Sequence, residues 1–320
     1  MQLHFSRRDF VKQAALTAGA LPFLSTEVLA RESATAQVPA AMPQILVFSK
    51  HLQFLSYPEL ADATADMGFD GIDLTVRGGG HVLPERVEDD LPKAVEAIKK
   101  AGLAPLMMTT TVEGGRDIDD RVLKTAASQG IKYYRMNWYK YSETESLPQS
   151  LEKYRRQVRD LSRQNKKLGL IGCYQNHAGM LVGASIWEIW EMLRDAEASH
   201  MGVQYDIRHA TVEGGTSWQN GLRLIHPNIQ ILAIKDFLWE KDSKGVYKVK
   251  NVPLGEGMVD FKTYFGLLKK YQVQVPISLH FEYDLGGAEH GSRTPSVDQK
   301  AIYTAMRKDI KKLKELWQEA

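Results

Sequence analysis

What constrains this chain most is an alternation. Eight short apolar, β-rich runs are separated by eight runs of helical period, and the order holds from residue 44 to residue 317. The strand-like runs are 44–48, 71–76, 103–112, 133–138, 168–174, 202–206, 229–234 and 275–281. The helical runs are 57–67, 84–101, 119–129, 150–167, 185–198, 218–224, 261–271 and 297–317. Several helical runs stop at a glycine (Gly68, Gly102, Gly130, Gly169), the residue that most readily closes a helix in the left-handed conformation. Eight strands each followed by a helix satisfy one another as a closed parallel sheet with helices outside. The pattern therefore predicts a single (β/α)₈ TIM barrel over residues 44–320, close to the ~250 residues such barrels need.

The N-terminus carries a different signal. Ser6-Arg7-Arg8-Asp9-Phe10-Val11-Lys12 precedes an apolar run over 14–24, and small-residue sites follow at 28–30 and 34–36. Paired arginines ahead of a modestly hydrophobic segment are the mark of twin-arginine export. The expectation is a signal peptide over 1–36, a linker over 37–43 and a barrel that works in the periplasm or otherwise outside the inner membrane. The Tat translocase would be its partner during export. No later run reaches the ~18 apolar residues of a membrane span, so none is expected after processing. A net charge of +2 with no long run of one sign gives no basic footprint for nucleic acid. Cys173 is the only cysteine, which excludes an intrachain disulfide and reads as a small core residue. Trp187 and Trp190, three apart with Leu193, read as core packing.

Strand side chains alternate, so the polar parity of each strand can be followed toward the C-terminal rim, where such barrels build their sites. On one parity lie Asp73, Thr75 and Arg77; Arg135 and Asn137; Cys173, Gln175 and His177; Gln204 and Asp206; Ala233 and Lys235; His280 and Glu282. The other parity is mostly apolar (Ile72, Leu74, Tyr134, Met136, Tyr174, Ile234, Phe281) and is expected to pack beneath helices. A buried brace of six charges would be costly where Val, Ile and Leu fill a core at no such cost, so the set points to a pocket. The loop Arg77-Gly78-Gly79-Gly80-His81 is expected to bring backbone, Arg77 and His81 to a ligand. His290, in the glycine-rich segment after the eighth strand, is a further candidate. The Gly79-Gly80 and Gly286-Gly287 pairs are not framed as strand–GxGxxG–helix, so no nucleotide cofactor is expected.

At these residues the chain resembles the sugar phosphate isomerase/epimerase family, the xylose isomerase-like TIM barrels, over about residues 44–317. The resemblance implies a divalent metal, often Mn²⁺, held by Glu, Asp, His and Glu after strands five to eight. Here the fifth-strand Glu-Asn-His reads Gln175-Asn176-His177. Asp206 with His209 three later matches the sixth. The seventh-strand His-x-Lys-Asp reads Ala233-Ile234-Lys235-Asp236, and Glu282 keeps the eighth. Asp206, Glu282 and Gln175 would be a weak set for Mn²⁺ or Zn²⁺, because an amide replaces one anion and the imidazole is gone.

The resemblance also implies a sugar as partner and an enzyme as function. Gln175 accepts no proton, so epimerisation between two carboxylates is disfavoured. What remains is a lyase, hydratase or isomerase acting by acid/base catalysis on a free or keto-sugar. Glu282, Lys235, His209 and His177 are its candidate catalytic residues. Arg77, His81, Arg135, Asn137, Gln175, His280 and His290 are its candidate binding residues. The alternatives are a metal-dependent epimerase or isomerase with reassigned ligands, and a sugar-binding barrel without catalysis. The related DNA-repair endonucleases need a larger His/Asp/Glu zinc cluster and a basic groove, and both are missing here.

Overall fold

A computed structural model describes residues 41–320. The expected signal peptide over 1–36, and the linker as far as residue 40, lie outside the described residues. From residue 45 the chain builds a closed barrel of eight parallel strands: β1 (Ile45–Phe48), β2 (Gly71–Val76), β3 (Ala104–Thr110), β4 (Tyr133–Arg135), β5 (Ile171–Gln175), β6 (Met201–Asp206), β7 (Ile229–Ile234) and β10 (Ile277–Leu279). Each pairs with its neighbours in chain order, and β10 returns to β1. The outer layer holds α1 (Tyr57–Met67), α2 (Val87–Lys100), α3 (Asp117–Gln129), α4 (Leu147–Leu168), α5 (Ile186–Leu193), α6 (Ile207–Gly214), α7 (Trp218–Ile225), α8 (Phe261–Lys270) and α9 (Gln299–Glu319).

Local chemistry fixes the helix ends. Ser56 and Ser146 each start a helix with a reciprocal capping box, to Glu59 and Gln149. Gly68 and Gly169 end theirs at φ of +85° and +71°, a conformation that costs a Cβ-bearing residue strain. Ile72, Leu74, Tyr134, Met136, Tyr174, Ile234 and Phe281 are buried as the alternation requires. Inside the barrel, Leu46, Met107, Tyr133, Cys173 and Ile231 form an apolar plug. Above it, Asp73 accepts hydrogen bonds from Thr109 (2.9 Å) and Ser278 (2.7 Å), joining β2, β3 and β10. Among the described residues no helix is long and apolar enough to cross a membrane.

The structure departs from the expectations at several places, one of them an added helix, α6, directly after β6. The strands at 133–138 and 275–281 are only three residues long, because their polar ends leave the ladder to enter the rim. After β7 the chain adds an antiparallel hairpin, β8 (Asp236–Lys241) with β9 (Tyr247–Val252), where no element was expected. Asp236 anchors it by accepting the N–H groups of Phe237, Gly255, Gly257 and Val259. Trp187 and Trp190 are not core residues: they are 57% and 37% exposed, and Ile189, Met192 and Leu193 form the buried face of α5. Their indoles stack edge to face on the outer surface, 6.1 Å apart.

Candidate active site

The polar rim residues come from consecutive strand ends. Arg135, Gln175 and Asp206 terminate β4, β5 and β6; Lys235 follows β7 directly, and Glu282 lies just past β10. Strand spacing then brings each within reach of the next. Arg135 Nη1 donates to Gln175 Oε1 at 3.2 Å, and Gln175 Nε2 donates to Asp206 Oδ2 at 2.9 Å. Lys235 Nζ lies 3.2 Å from the same Asp206 oxygen and 3.1 Å from Glu282 Oε2. Lys50, two residues past β1, closes the run with Nζ 3.4 Å from Glu282 Oε1. Asn176 staples β5 to β6, since its amide donates to the Asp206 carbonyl and accepts the Asp206 N–H.

His209 enters from the first turn of α6, whose N-cap is Asp206: the carboxylate accepts the His209 N–H at 3.0 Å. Its Nδ1 lies 3.1 Å from the Ala178 backbone N and 2.9 Å from Arg208 Nη1, and the other ring nitrogen is Nε2. That nitrogen faces Lys235 Nζ at 2.9 Å and Asp206 Oδ2 at 3.6 Å. Burial, with the nearby Lys235, holds the His209 pKa well below the ordinary imidazole value, so the ring is neutral. Arg208 is itself positioned by Asn251 of the hairpin, at 2.9 Å. The unexpected β8–β9 element therefore orients His209 at one remove.

His177 differs. Its Nδ1 donates to the Ala178 carbonyl at 2.9 Å, which leaves Nε2 with a free lone pair. The ring lies between His209 (centroids 4.0 Å apart) and the face of Trp138 (4.7 Å). Burial and Lys235 lower its pKa, so it is an unprotonated base at neutral pH. Glu282 is the opposite case. Burial alone would raise its pKa, but Lys235, His280 and Lys50 hold it well below the usual carboxylate range. It is an anion and a weak base.

These residues surround a cavity that opens to solvent at the barrel mouth, with about 340 Å³ of empty space when the open solvent there is included. Arg77, Arg135, Gln175, His177, Lys235, His280 and Glu282 line it; Asp206 and His209 are not on the lining but lie behind Lys235. Three expected residues are used elsewhere. His81 is locked into its own loop by Thr75 and the Leu52 carbonyl, and burial lowers its pKa to about 4. Asn137 donates to Glu113 at 2.6 Å. His290 is 83% exposed and pairs with Glu289. The glycine loop serves its own packing: a Cβ at Gly80 would meet the Thr75 carbonyl at 2.9 Å. Phe48, Lys50 and Trp138 line the cavity and were not singled out from sequence. For Phe48 and Lys50 the signal existed, since they share the inward parity of Leu46. For Trp138 it did not, because β4 ends at Arg135 and strict alternation would have chosen Asn137.

A divalent ion held by Asp206 and Glu282 needs oxygens at about 2.0–2.3 Å and no other cation beside them. The space between these carboxylates holds the Lys235 ammonium, and the Gln175 oxygen is turned to Arg135. As arranged, the donors do not fit the ion that the family resemblance implies. Among the described residues no group of three or more His, Cys, Asp or Glu side chains is arranged to hold a metal.

Residues 61–301 match the model of the xylose isomerase-like TIM barrel family. No curated protein matches the sequence. Among solved structures, 3-keto-D-glucoside 4-epimerase from Escherichia coli superimposes with a TM-score of 0.63 at 14% identity, covering 86% of this chain and 100% of its own. The probable 3-DHS dehydratase of petrobactin synthesis from Bacillus anthracis gives 0.62 at 14%, covering 85% and 99%. A xylose isomerase-like barrel from Mycobacterium smegmatis, solved in complex with magnesium, gives 0.59 at 13%, covering 84% and 98%. At such identities the likeness shows the fold.

Proposed function

The chain belongs to the xylose isomerase-like TIM barrel family, and on that premise we propose that it is a sugar-modifying enzyme. It moves a proton on the carbon beside a carbonyl of a free or keto-sugar, with elimination, hydration or isomerisation as the outcome. The observation that carries this reading is the Lys235 ammonium, held at 3.1–3.2 Å by Glu282 and Asp206 at the rim of the cavity. A fixed cation there stabilises the negative charge that builds on a carbonyl oxygen when a neighbouring C–H bond breaks. His177 Nε2 is the free base on the cavity wall and takes that proton. In an elimination, the electron pair forms the C=C bond, the β C–O bond breaks, and the hydroxyl leaves as water with the proton from His177. In an isomerisation, the neighbouring hydroxyl passes its proton to the former carbonyl oxygen and becomes the new carbonyl, while the proton on His177 is delivered to the former carbonyl carbon. Glu282 and Asp206 aim Lys235, and His209 lies against its third side. Gln175, donating to Asp206, offers no second carboxylate for a two-carboxylate epimerisation.

The structural relatives include an epimerase and a probable dehydratase, which supports this class of chemistry without selecting between its members. We also propose that the enzyme acts after export, on the strength of the Ser6–Lys12 motif. The test is a panel of keto- and aldo-sugars incubated with purified protein in D₂O, read by NMR for deuterium at the carbon next to the carbonyl and for dehydrated or isomerised products. Turnover without added metal, lost in Lys235→Arg and His177→Gln, is the expected result. Turnover that appears only with added Mn²⁺, Zn²⁺ or Mg²⁺ overturns it in favour of a metal-dependent epimerase or isomerase. A sugar that binds but is never changed means a binding protein.

A further inference from the structure

We propose that the substrate of this pocket is an anion, a sugar acid whose carboxylate is gripped by Arg77 and Arg135; the proposal rests on reading the cavity as a sugar site. The cavity is lined by four cations, Lys50, Arg77, Arg135 and Lys235, and by one carboxylate, Glu282. Asp206 and Asp73 lie beneath it. Lys235 is matched by Asp206 and Glu282, and Lys50 by Glu282. The two guanidiniums are not matched. Among the described residues the Arg77 side chain has no ion-pair or hydrogen-bond partner, and its guanidinium rests over the Phe48 ring at 5.6 Å. Arg135 is 3% exposed; it stacks on Trp138 at 4.0 Å, makes one neutral hydrogen bond to Gln175, and leaves Nε buried without an acceptor. Asp73 and Glu282 attract both guanidiniums through space, but neither carboxylate pairs with them directly: Asp73 is held by Thr109 and Ser278, and Glu282 by Lys235 and Lys50.

A buried guanidinium without a partner anion is a costly arrangement, and two that repel each other are costlier. Burial and the neighbouring Arg77 lower the Arg135 pKa to about 9, the mark of a cation short of compensation. A carboxylate placed between them relieves both effects, since planar guanidinium forks match planar carboxylates in paired hydrogen bonds. With the imidazoles neutral, five cations (Arg208, behind His209, included) stand against three carboxylates, so the pocket is net positive and suits an anion. The Trp138 and Phe48 rings beside the guanidiniums give apolar faces for the sugar C–H groups. Lys235 and His177, further along the same cavity, are then left for the carbonyl end.

Calorimetric titration of the full protein with D-glucuronate, D-glucose and D-glucose 6-phosphate tests this. Expected is glucuronate binding at least tenfold tighter than glucose and tighter than the phosphate. In Arg77→Met the preference should fall below threefold, glucuronate losing far more affinity than glucose. Arg135→Lys, which keeps the charge but loses the fork, should lower glucuronate affinity several-fold and serves if larger changes at the buried Arg135 unfold the barrel. Glucose binding as tightly as glucuronate, with Arg77→Met changing neither, overturns the anion proposal while leaving the sugar site intact. Tighter binding of the phosphate overturns the carboxylate assignment. Failure of all three to bind overturns the sugar-site reading, and the proposal with it.

Discussion

Lys235 Nζ lies 3.1 Å from Glu282 Oε2 and, on its other side, 3.2 Å from Asp206 Oδ2, with His209 Nε2 at 2.9 Å. Two carboxylates and an imidazole around one point are the donors that would suit a divalent ion, but the point is an ammonium. The lysine reaches it because residue 233, one strand turn below on the same parity, is alanine rather than a bulky ligand.

That arrangement predicts a metal response by subtraction. In Lys235→Ala the three donors remain and the cation is gone. Adding Mn²⁺ or Zn²⁺ to this variant should raise its melting temperature, by the roughly RT ln(1 + [L]/Kd) that a native-state ligand contributes. The unmodified protein should show a much smaller rise at the same concentration. Equal rises in both proteins would show that the ammonium does not block the site.

Lys235→Met should also destabilise the barrel, because it leaves Asp206 fully buried without its cation. Breaking such a pair costs about 3–5 kcal/mol. Pairing it with Glu282→Gln should recover part of that loss. Catalysis must therefore be read in Lys235→Arg, which keeps the charge: turnover per folded molecule should fall about 10²–10³-fold, the scale of one misplaced oxyanion donor. Unchanged turnover in a folded Lys235→Arg would assign the lysine a bracing role only.

His177 sets the acid limb of the pH profile. Its pKa is lowered by burial and by Lys235, so kcat/KM should be flat through neutrality and decline on acidification below the ordinary imidazole value. In His177→Gln that limb should disappear together with most of the activity. A profile that rises as the pH falls would assign proton abstraction elsewhere.

Asp309, on α9, makes a prediction independent of function. Burial raises its pKa from 3.8 to about 6, against the opposing help of Tyr283 and the Leu254 N–H. The native state thus holds the proton more tightly than the unfolded chain, and stability from this group falls as pH rises from about 4 through 6. The shift corresponds to about 2–3 kcal/mol at pH 8. Asp309→Asn should raise the melting temperature at pH 8 and lose most of that advantage by pH 5. A gain independent of pH would show that charge is not the cause.

For export, replacing Arg7 and Arg8 with Lys should leave unprocessed protein inside the cell. Normal amounts of processed protein outside would show that export does not depend on the arginine pair.

The polar parity of the strands was legible because alternation is a local rule: once Asp206 faces inward, Gln204 does too, and β4 to β7 delivered Arg135, Gln175, Asp206 and Lys235 to one rim. The rule failed where the strands stop. Past Arg135 the chain turns, so Trp138 faces the cavity while Asn137 goes to Glu113. Past Val76 the loop closes on itself and takes His81 with it. The outward-facing tryptophans of α5 show the same limit, since a helical stripe says which residues share a face but not which face is covered.

The sequence alone determined the barrel, its parity and the identity of the charges at its mouth, because strand and helix periods are properties of neighbouring residues. Which charges meet was decided only by closure. Arg135 and Gln175 stand 40 residues apart and Lys235 and Glu282 47, and only the register of adjacent parallel strands sets their distances. Closure put the Lys235 ammonium between two carboxylates and left Arg77 and Arg135 without one. That asymmetry depends on where side chains end in three dimensions, and no spacing along the chain encodes it.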